Sequence, residues 1–478
     1  MEHTEKSIIM HSIEQLEALL PKDRRLFFIG IGGVSMSALA MIAKEQGYTV
    51  GGSDRAVSHN TEMLRDAGIT VFDSHDESHI KGYDAIIYNA AIGEENPEYK
   101  AAKEAGLPLI YRSCFLSFLM RGYKHGIGVA GMHGKTTTSA MLSHLFLYAN
   151  RDPAILIGAE LPEIGHDFRS GSGDDFIFEA CEYKDSFLSF HPSVAVVLNE
   201  EMDHPDYFKS LAQIRDSFHR YMQIPGEGGC DIINCDDENV LESAKGVSAR
   251  RITFGIQNPD ADYRACDISF SDDGCGRFTV YKKDAEHSSV PFCHIALSVS
   301  GMHNVSNALA CAAAADVCGI DADTIASGLS SFTGAGRRME YKGHLRDCAV
   351  KVPVYDDFGH HPSEIKTTLE GARRMHCRRL RCVYQPHTYS RTAGLFDAFC
   401  TAFDACDEVI FVDIYAARET NTFGVSSEQL AAKIPHAAYD PDLAHLYSYL
   451  KESSQEGDLL VIMGAGDIAK FAEQIAEK

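Results

Sequence analysis

The sequence predicts an α/β protein of three units, each built on a mostly parallel sheet. Short apolar runs alternate with amphipathic stretches through most of the 478 residues, as strands and helices do when they take turns. That length corresponds to about three domains of ordinary size. Two Gly-containing turns, beginning at Gly30 and Gly131, each follow a strand-like run and open a helix-like one.

The first unit opens with the strand-like run LFFIGIGG and continues through YTVGGSD, YDAIIYNAAI and LPLIYR. The run HGIGVAG then starts a second unit, and DDFIFEACE and PSVAVVLNEEMDH add strands to it. Between Asp262 and Val299 the alternating, Gly- and Asp-rich pattern predicts an antiparallel insertion. VPVYDD, RLRCVYQP, EVIFVDIY and DLLVIMGAG are the strands of a third unit. The expected divisions are 1–123, 124–335 and 336–478.

Composition narrows the function. Hydrophobic residues at 45% and charged residues at 23% describe an ordinary globular chain. A net charge of −24 argues against a nucleic-acid partner held through phosphates. The fourteen cysteines form no C-x-x-C pair, which reads as reduced thiols and not as a zinc site. The start, MEHTEKSIIMHSIEQ, has no secretory apolar region, and no apolar run reaches membrane-spanning length. A cytoplasmic protein without a membrane partner is expected.

GVAGMHGKTTTSAML carries the most chemistry. Backbone N–H groups of such a turn, with the helix N-terminus behind it, hold phosphate oxygens. Lys135 would neutralise the outer phosphates and Thr136 would offer its hydroxyl to Mg²⁺. The strict G-x-x-x-x-G-K-[ST] pattern is not met, because position 129 is Val. Glu179 ends a strand-like run and is a hard oxygen ligand suited to Mg²⁺. The next strand ends in Asn199, with Asp203 and His204 shortly after, where an open parallel sheet places its ligands. By residue type alone His204 is more often a surface or capping histidine. The first turn, Gly30 to Ser37, suggests a dinucleotide site, but Ser35 stands where the third glycine of G-x-G-x-x-G belongs. Gly32 and Gly33 let backbone approach a pyrophosphate, and Asp54 ends the second strand, where an acid meets a ribose. His75, Asn89 and Ala90 to Ile92 are weaker candidates, with ordinary loop residues as the alternative.

Together these motifs resemble the Mur ligase family, and the resemblance runs from about Leu26 to Ile468. G-M-H-G-K-T-T, from Gly131 through Met132, His133, Gly134, Lys135 and Thr136 to Thr137, is similar to the family's phosphate loop, with Met132 for the usual Thr. E-A-C-E, from Glu179 to Glu182, is similar to E-A-D-E, with Cys181 for Asp. N-x-x-x-D-H, ending in His204, resembles the segment whose histidine binds a second Mg²⁺. G-M-H-N-V-S-N resembles the adenine-contacting motif, which puts Asn304 and Asn307 near the base; without the family it reads as a helix start. G-R-R-M-E resembles the hinge before the last domain, which would send Arg338 to the ATP phosphates; an arginine pair alone is usually solvated surface. D-D-F-G-H-H-P and Q-P-H-T-Y-S-R-T are similar to signatures of the family's alanine-adding branch. They imply that Asp357 holds the ATP ribose and that His360 and Arg391 meet the amino acid, with Thr388 where some relatives have Arg.

The resemblance implies an N-terminal Rossmann-like UDP-binding domain, a central P-loop ATPase-like domain and a C-terminal Rossmann-like domain. It also implies an ATP- and Mg²⁺-dependent ligase of peptidoglycan synthesis, a monomer or homodimer, joining L-alanine to the lactyl carboxylate of UDP-N-acetylmuramate. Gly30, Gly32, Gly33, Ser35, Asp54 and His75 would face UDP. The carboxylate would become an acyl phosphate and alanine would displace the phosphate. The chain has no lysine between Lys209 and Lys245, where several members carry a carbamylated one. Nearby alternatives are a murein-peptide-recycling ligase and a folylpolyglutamate synthase. More distant ones are a nicotinamide-dependent dehydrogenase and a nucleotide-binding protein without catalysis.

Overall fold

In a computed structural model, residues 13–89, 91–205 and 207–477 are described; the start of the chain and Ala90 lie outside them. Three sheets account for the architecture.

The first sheet has five strands: β1 (Arg25–Ile29), β2 (Thr49–Ser53), β3 (Thr70–Phe72), β4 (Ala85–Tyr88) and β5 (Leu109–Tyr111). Their order is β3-β2-β1-β4-β5 and every pairing is parallel. Buried on both faces, these strands read as continuous apolar runs, as parallel strands do. The order reverses beside β1, and the Gly30 turn leaves that strand at the switch point, where such sheets bind ligands.

The second sheet has ten strands: β6 (His125–Ala130), β7 (Ala154–Leu161), β8 (His166–Arg169), β9 (Asp175–Glu179), β10 (Val194–Val197), β11 (Cys230–Asn234), β12 (Arg250–Gly255), β13 (Tyr263–Phe270), β14 (Cys275–Lys283) and β15 (Ser289–Ser300). The order is β15-β14-β13-β12-β11-β10-β6-β9-β7-β8. β13 to β15 form the expected antiparallel insertion. β6 lies between β10 and β9, so the ends of these three strands meet. Helix Met302–Val317, with a run of buried alanines, packs close against helix Lys135–Tyr148.

The third sheet comprises β16 (Glu340–Leu345), β17 (Pro353–Asp357), β18 (Arg379–Tyr384), β19 (Glu408–Phe411), β20 (Ala437–Tyr439), β21 (Asp458–Met463) and β22 (Ala476–Glu477). Its order is β20-β19-β18-β21-β17-β16-β22, with β16 antiparallel to both neighbours and the other pairings parallel. β17 and β18 flank β21, so the turns after Asp357 and after Tyr384 open on the same edge. No described helix is long and apolar enough to cross a membrane, and the described cysteines are free thiols.

Candidate functional site

The phosphate loop joins β6 to helix Lys135–Tyr148. Gly131 and Gly134 take φ of +145° and +79°, which other residues rarely adopt. A Cβ on Gly134 would also lie 2.8 Å from Asn307 Oδ1. No side chain caps the helix that follows, so its first amides remain available to an anion. Met132 is buried, and its N–H donates to Asn199 O at 3.2 Å. Asn199 lies two residues beyond the end of β10, not at its last residue as the sequence suggested.

Lys135 Nζ turns back over the loop, donating to Gly131 O at 2.6 Å and Met132 O at 3.1 Å, with Glu182 Oε2 at 2.9 Å. Burial alone would depress its pKa; the Glu182 carboxylate, with Cys181 and Glu179, outweighs burial and raises it. The ammonium is therefore held charged, as phosphate binding requires. Thr136 Oγ1 donates to Glu179 Oε2 at 2.7 Å and accepts from Arg338 Nη2 at 3.1 Å. Across them is Gly158, where a Cβ would sit 2.5 Å from Glu179 Oε2 and 3.1 Å from Thr136 Oγ1. A hydroxyl and a carboxylate converging on a space that even a methyl would fill is a donor set suited to Mg²⁺.

The other side of Lys135 is built by the segments after β9 and after β10. Glu182 is 1% exposed, and its Oε1 lies 3.3 Å from His204 Nε2. Burial raises the Glu182 pKa, but Lys135 and His204 outweigh it and the carboxyl is held below its ordinary value. His204 has φ +50°, an unusual conformation that aims the ring at this cluster. Asp203 is buried too; burial pushes its pKa up, yet Arg391 and the neighbouring histidines hold it well down.

Two predicted residues arrive here from the third sheet. Arg391, in the short helix Tyr389–Gly394, donates from Nε to Asp203 Oδ1 at 3.1 Å. Its other nitrogens lie 3.2 Å from His387 Nδ1 and 3.4 Å from His204 Nδ1. The His360 ring packs edge-on to His387 at 5.9 Å between centroids. Burial, with Arg391 beside it, pushes the His360 pKa down to about 3 against the opposing pull of Glu364, so that imidazole is neutral.

A cleft of about 1730 Å³ opens alongside and is lined by His133, Gly134, Thr137, Asn304, Asn307, Arg338 and Asp357. Asn307 Nδ2 donates to Asn304 Oδ1 at 3.2 Å. Asp357 accepts from Met339 N at 2.9 Å and Gly359 N at 2.8 Å, and burial pushes its pKa up to about 6. Arg337 takes φ +56° and Met339 φ +48° on either side of Arg338. This joint holds the Arg338 guanidinium above the Phe358 ring at 5.2 Å and against Thr136.

The first sheet contributes its own loop. Gly30 has φ +75°, and Gly33 precedes helix Val34–Glu45, whose first turn carries Ser35. Asp54 braces this loop, taking Gly32 N at 2.9 Å on Oδ2 and Ala56 N at 3.0 Å on Oδ1. Asn60 Nδ2 donates to Gly32 O at 3.1 Å, and Val34, His59 and Asn60 also line the cleft. His75 sits differently from the loop: its Nδ1 is 2.7 Å from Glu98 Oε2 and 2.9 Å from Ser53 Oγ, and its side chain is 7% exposed. Of the residues to which the sequence assigned no role, Glu182 and Asp203 are the most prominent. The signal for Glu182 was its place at the end of the E-A-C-E segment.

Family models match in the same order as the sheets. The Mur ligase family catalytic domain covers residues 25–124, the Mur ligase middle domain 129–315, and the Mur ligase glutamate ligase domain 337–466. A UDP-N-acetylmuramate--L-alanine ligase of Acetivibrio thermocellus is 44% identical over 466 residues, covering 96% of this chain and 97% of the relative. Among solved structures, the UDP-N-acetylmuramate-alanine ligase of Thermotoga maritima matches with a TM-score of 0.74 and 25% identity, over 95% of this chain and 98% of that one. A murein peptide ligase of Psychrobacter arcticus matches with a TM-score of 0.68 and 25% identity, over 95% and 100%. Three matched domains in order and a near full-length relative of this identity leave one conclusion, that the chain belongs to the Mur ligase family.

Proposed function

We propose that this protein is an ATP-dependent UDP-N-acetylmuramate–L-alanine ligase (EC 6.3.2.8) acting in peptidoglycan precursor synthesis. One observation carries the reading. Thr136 of the phosphate loop pairs with Glu179, Lys135 beside it shares the Glu182 carboxylate with His204, and Arg391 from the third sheet's unit reaches His204. A phosphate site and a carboxylate-binding arginine at one place suit activation of an acid by ATP and its capture by an amino acid.

The reaction needs charge control more than a nucleophilic side chain. The lactyl carboxylate attacks the γ-phosphorus of ATP, the bond to the bridging oxygen breaks, and ADP leaves. Lys135 and Arg338 stabilise the charge on the phosphoryl oxygens. Mg²⁺, which Thr136, Glu179 and His204 would hold, supplies neutralisation of phosphate and carboxylate charge when bound. The amine of alanine then attacks the acyl carbon, and phosphate leaves with the oxygen it received. Arg391 binds the alanine carboxylate through Nη1 and Nη2, exchanging the two imidazoles for it, while Asp203 keeps Nε in place. His360, neutral beside it, faces the amino acid. Asn304, Asn307 and Asp357 bind adenosine, and Gly30, Gly32, Gly33, Ser35 and Asp54 form the UDP loop, with His75 behind it. The boundaries 1–123, 124–335 and 336–478 are proposed from the three sheets, and the location is taken as cytoplasmic.

A murein-peptide-recycling ligase is the second reading, favoured by the Psychrobacter arcticus likeness. Phosphate release measured with L-alanine, glycine, L-serine and a muropeptide tripeptide decides between them. Turnover with alanine supports the proposal; turnover with the tripeptide alone refutes it.

A further inference from the structure

His133 belongs to the phosphate loop, yet its side chain reaches out of the loop to the third sheet's unit. Its backbone is pinned by Asn199: N–H donates to Oδ1 at 2.8 Å and O accepts from Nδ2 at 3.0 Å. Its ring lies between two carboxylates. Nε2 meets Glu201, in the segment after β10, and Nδ1 is 3.4 Å from Glu364 Oε1, in helix Pro362–Arg373. His361, the cap of that helix, packs against the ring at 4.5 Å between centroids. It donates from Nε2 to Met202 O at 3.2 Å, and Ser363 Oγ donates to Glu201 Oε2 at 2.8 Å. Burial would strip the proton from His133, but Glu201 and Glu364 push its pKa up to about 9, so the ring is a cation between two anions.

We propose that His133, Glu201 and Glu364 form a latch through which the phosphate loop reads the docking of the third unit, making phosphoryl transfer conditional on closure. The inference rests on the ligase reading above. An imidazolium has two N–H donors: Glu201 takes Nε2, while the Glu364 carboxylate stands at ion-pair distance from Nδ1 without completing a hydrogen bond, so each side of the joint supplies one counter-charge. When the third unit leaves, Glu364 leaves with it and the buried imidazolium loses one of its two counter-charges. The loop feels that loss directly, because His133 lies between the two glycines whose backbone sets its shape. His133, Glu201 and His361 also offer a possible metal-ligand set, with ligand atoms within 4.8 Å of one another. His361 Nδ1, however, already accepts from Ser363 N at 3.3 Å as part of the helix cap, which favours the ion-pair reading. These are positioning residues, and their purpose would be to keep ATP from being spent while the acyl phosphate is open to water.

Glu364→Gln keeps an oxygen for the cap, where His360 N donates at 3.1 Å, and removes only the charge. Amide and phosphate are measured in the same reaction with full-length wild type, Glu364→Gln, His133→Gln and the double variant, at saturating ATP, UDP-N-acetylmuramate and L-alanine. Wild type should release one phosphate per amide. Each single variant should lose roughly tenfold in amide formation and release clearly more than one phosphate per amide, the loss expected for one charge-assisted partner. The double variant should match His133→Gln within about twofold, because the two changes remove the same contact. A phosphate-to-amide ratio that stays at one in every variant, or losses that multiply, would overturn the latch. If Glu364→Gln does not fold, Glu201→Gln removes the other counter-charge of the His133 latch and is read by the same phosphate-to-amide ratio. If wild type forms no amide at all, it is the ligase reading that fails. The latch is then tested by X-ray scattering with ADP and Mg²⁺: Glu364→Gln should have the larger radius of gyration, and equal radii would overturn it.

Discussion

Lys135 and its partner Glu182 set the charge of the phosphate site. Without Glu182 nothing of comparable strength offsets the burial of the ammonium. Glu182→Gln should therefore lower the Lys135 pKa, and the alkaline limb of the rate should move to lower pH. A kcat–pH profile unchanged on that side would remove Glu182 from the account. Lys135→Ala should cut phosphate release by roughly a hundredfold or more, because it removes the cation facing the transferring group. UDP-N-acetylmuramate affinity, measured by calorimetry, should stay within about threefold, since the first sheet's loop binds it. Arg391→Lys keeps the charge and loses the fork. The KM for alanine should rise about 30-fold or more, with little change for ATP. Borohydride trapping without alanine should still detect the acyl phosphate; its disappearance with an unchanged alanine KM would place Arg391 in the first half-reaction.

At the scale of elements, Gly158 on β7 borders the proposed Mg²⁺ site without offering it a ligand. Gly158→Ala would put a methyl 2.5 Å from Glu179 Oε2. The Mg²⁺ concentration for half-maximal rate should rise roughly tenfold or more, as for other changes just outside a ligand shell. An unchanged Mg²⁺ titration would show that Glu179 and Thr136 do not share an ion. The core strands β1, β4, β6, β9, β10, β18 and β21 were legible as apolar runs because both faces of each are covered. β8, β16 and β22 were not. They are short or partly exposed, and β22 pairs with β16, far from it in sequence. The turns after these strands were legible by residue type and by family likeness, but their partners were not. Glu182 reads as one more acid until the fold closes it over Lys135, and His75 reads as a loop histidine until Glu98 and Ser53 surround it.

At the scale of the whole molecule, burial holds two acids outside the site, Asp231 and Glu200, far above the ordinary carboxyl range. Both oxygens of Asp231 on β11 lack a hydrogen-bond partner, and burial pushes its pKa up to about 7. Burial likewise raises Glu200 to about 8, against the hydrogen bond from Ser243. A carboxyl with a raised folded-state pKa binds its proton more tightly in the native state. Its contribution is full below its unfolded pKa near 4 and is lost as pH rises through the folded value. Stability should fall between about pH 4 and pH 8, and Asp231→Asn should recover on the order of 2–4 kcal/mol of it at the alkaline end. Melting temperatures at about pH 5 and about pH 8.5 check this; an equal drop in wild type and variant would contradict it.

The central claim joins the three units in one reaction, and product analysis tests it most directly. Purified enzyme is incubated with ATP, Mg²⁺, UDP-N-acetylmuramate and isotopically labelled L-alanine, and the UDP-linked product, ADP and phosphate are quantified by mass spectrometry and phosphate assay. The account predicts UDP-N-acetylmuramoyl-L-alanine in equal amounts with ADP and phosphate, and no product when any one substrate is left out. Label absent from the UDP-linked product while ATP is consumed, or label incorporated without ATP, would contradict it.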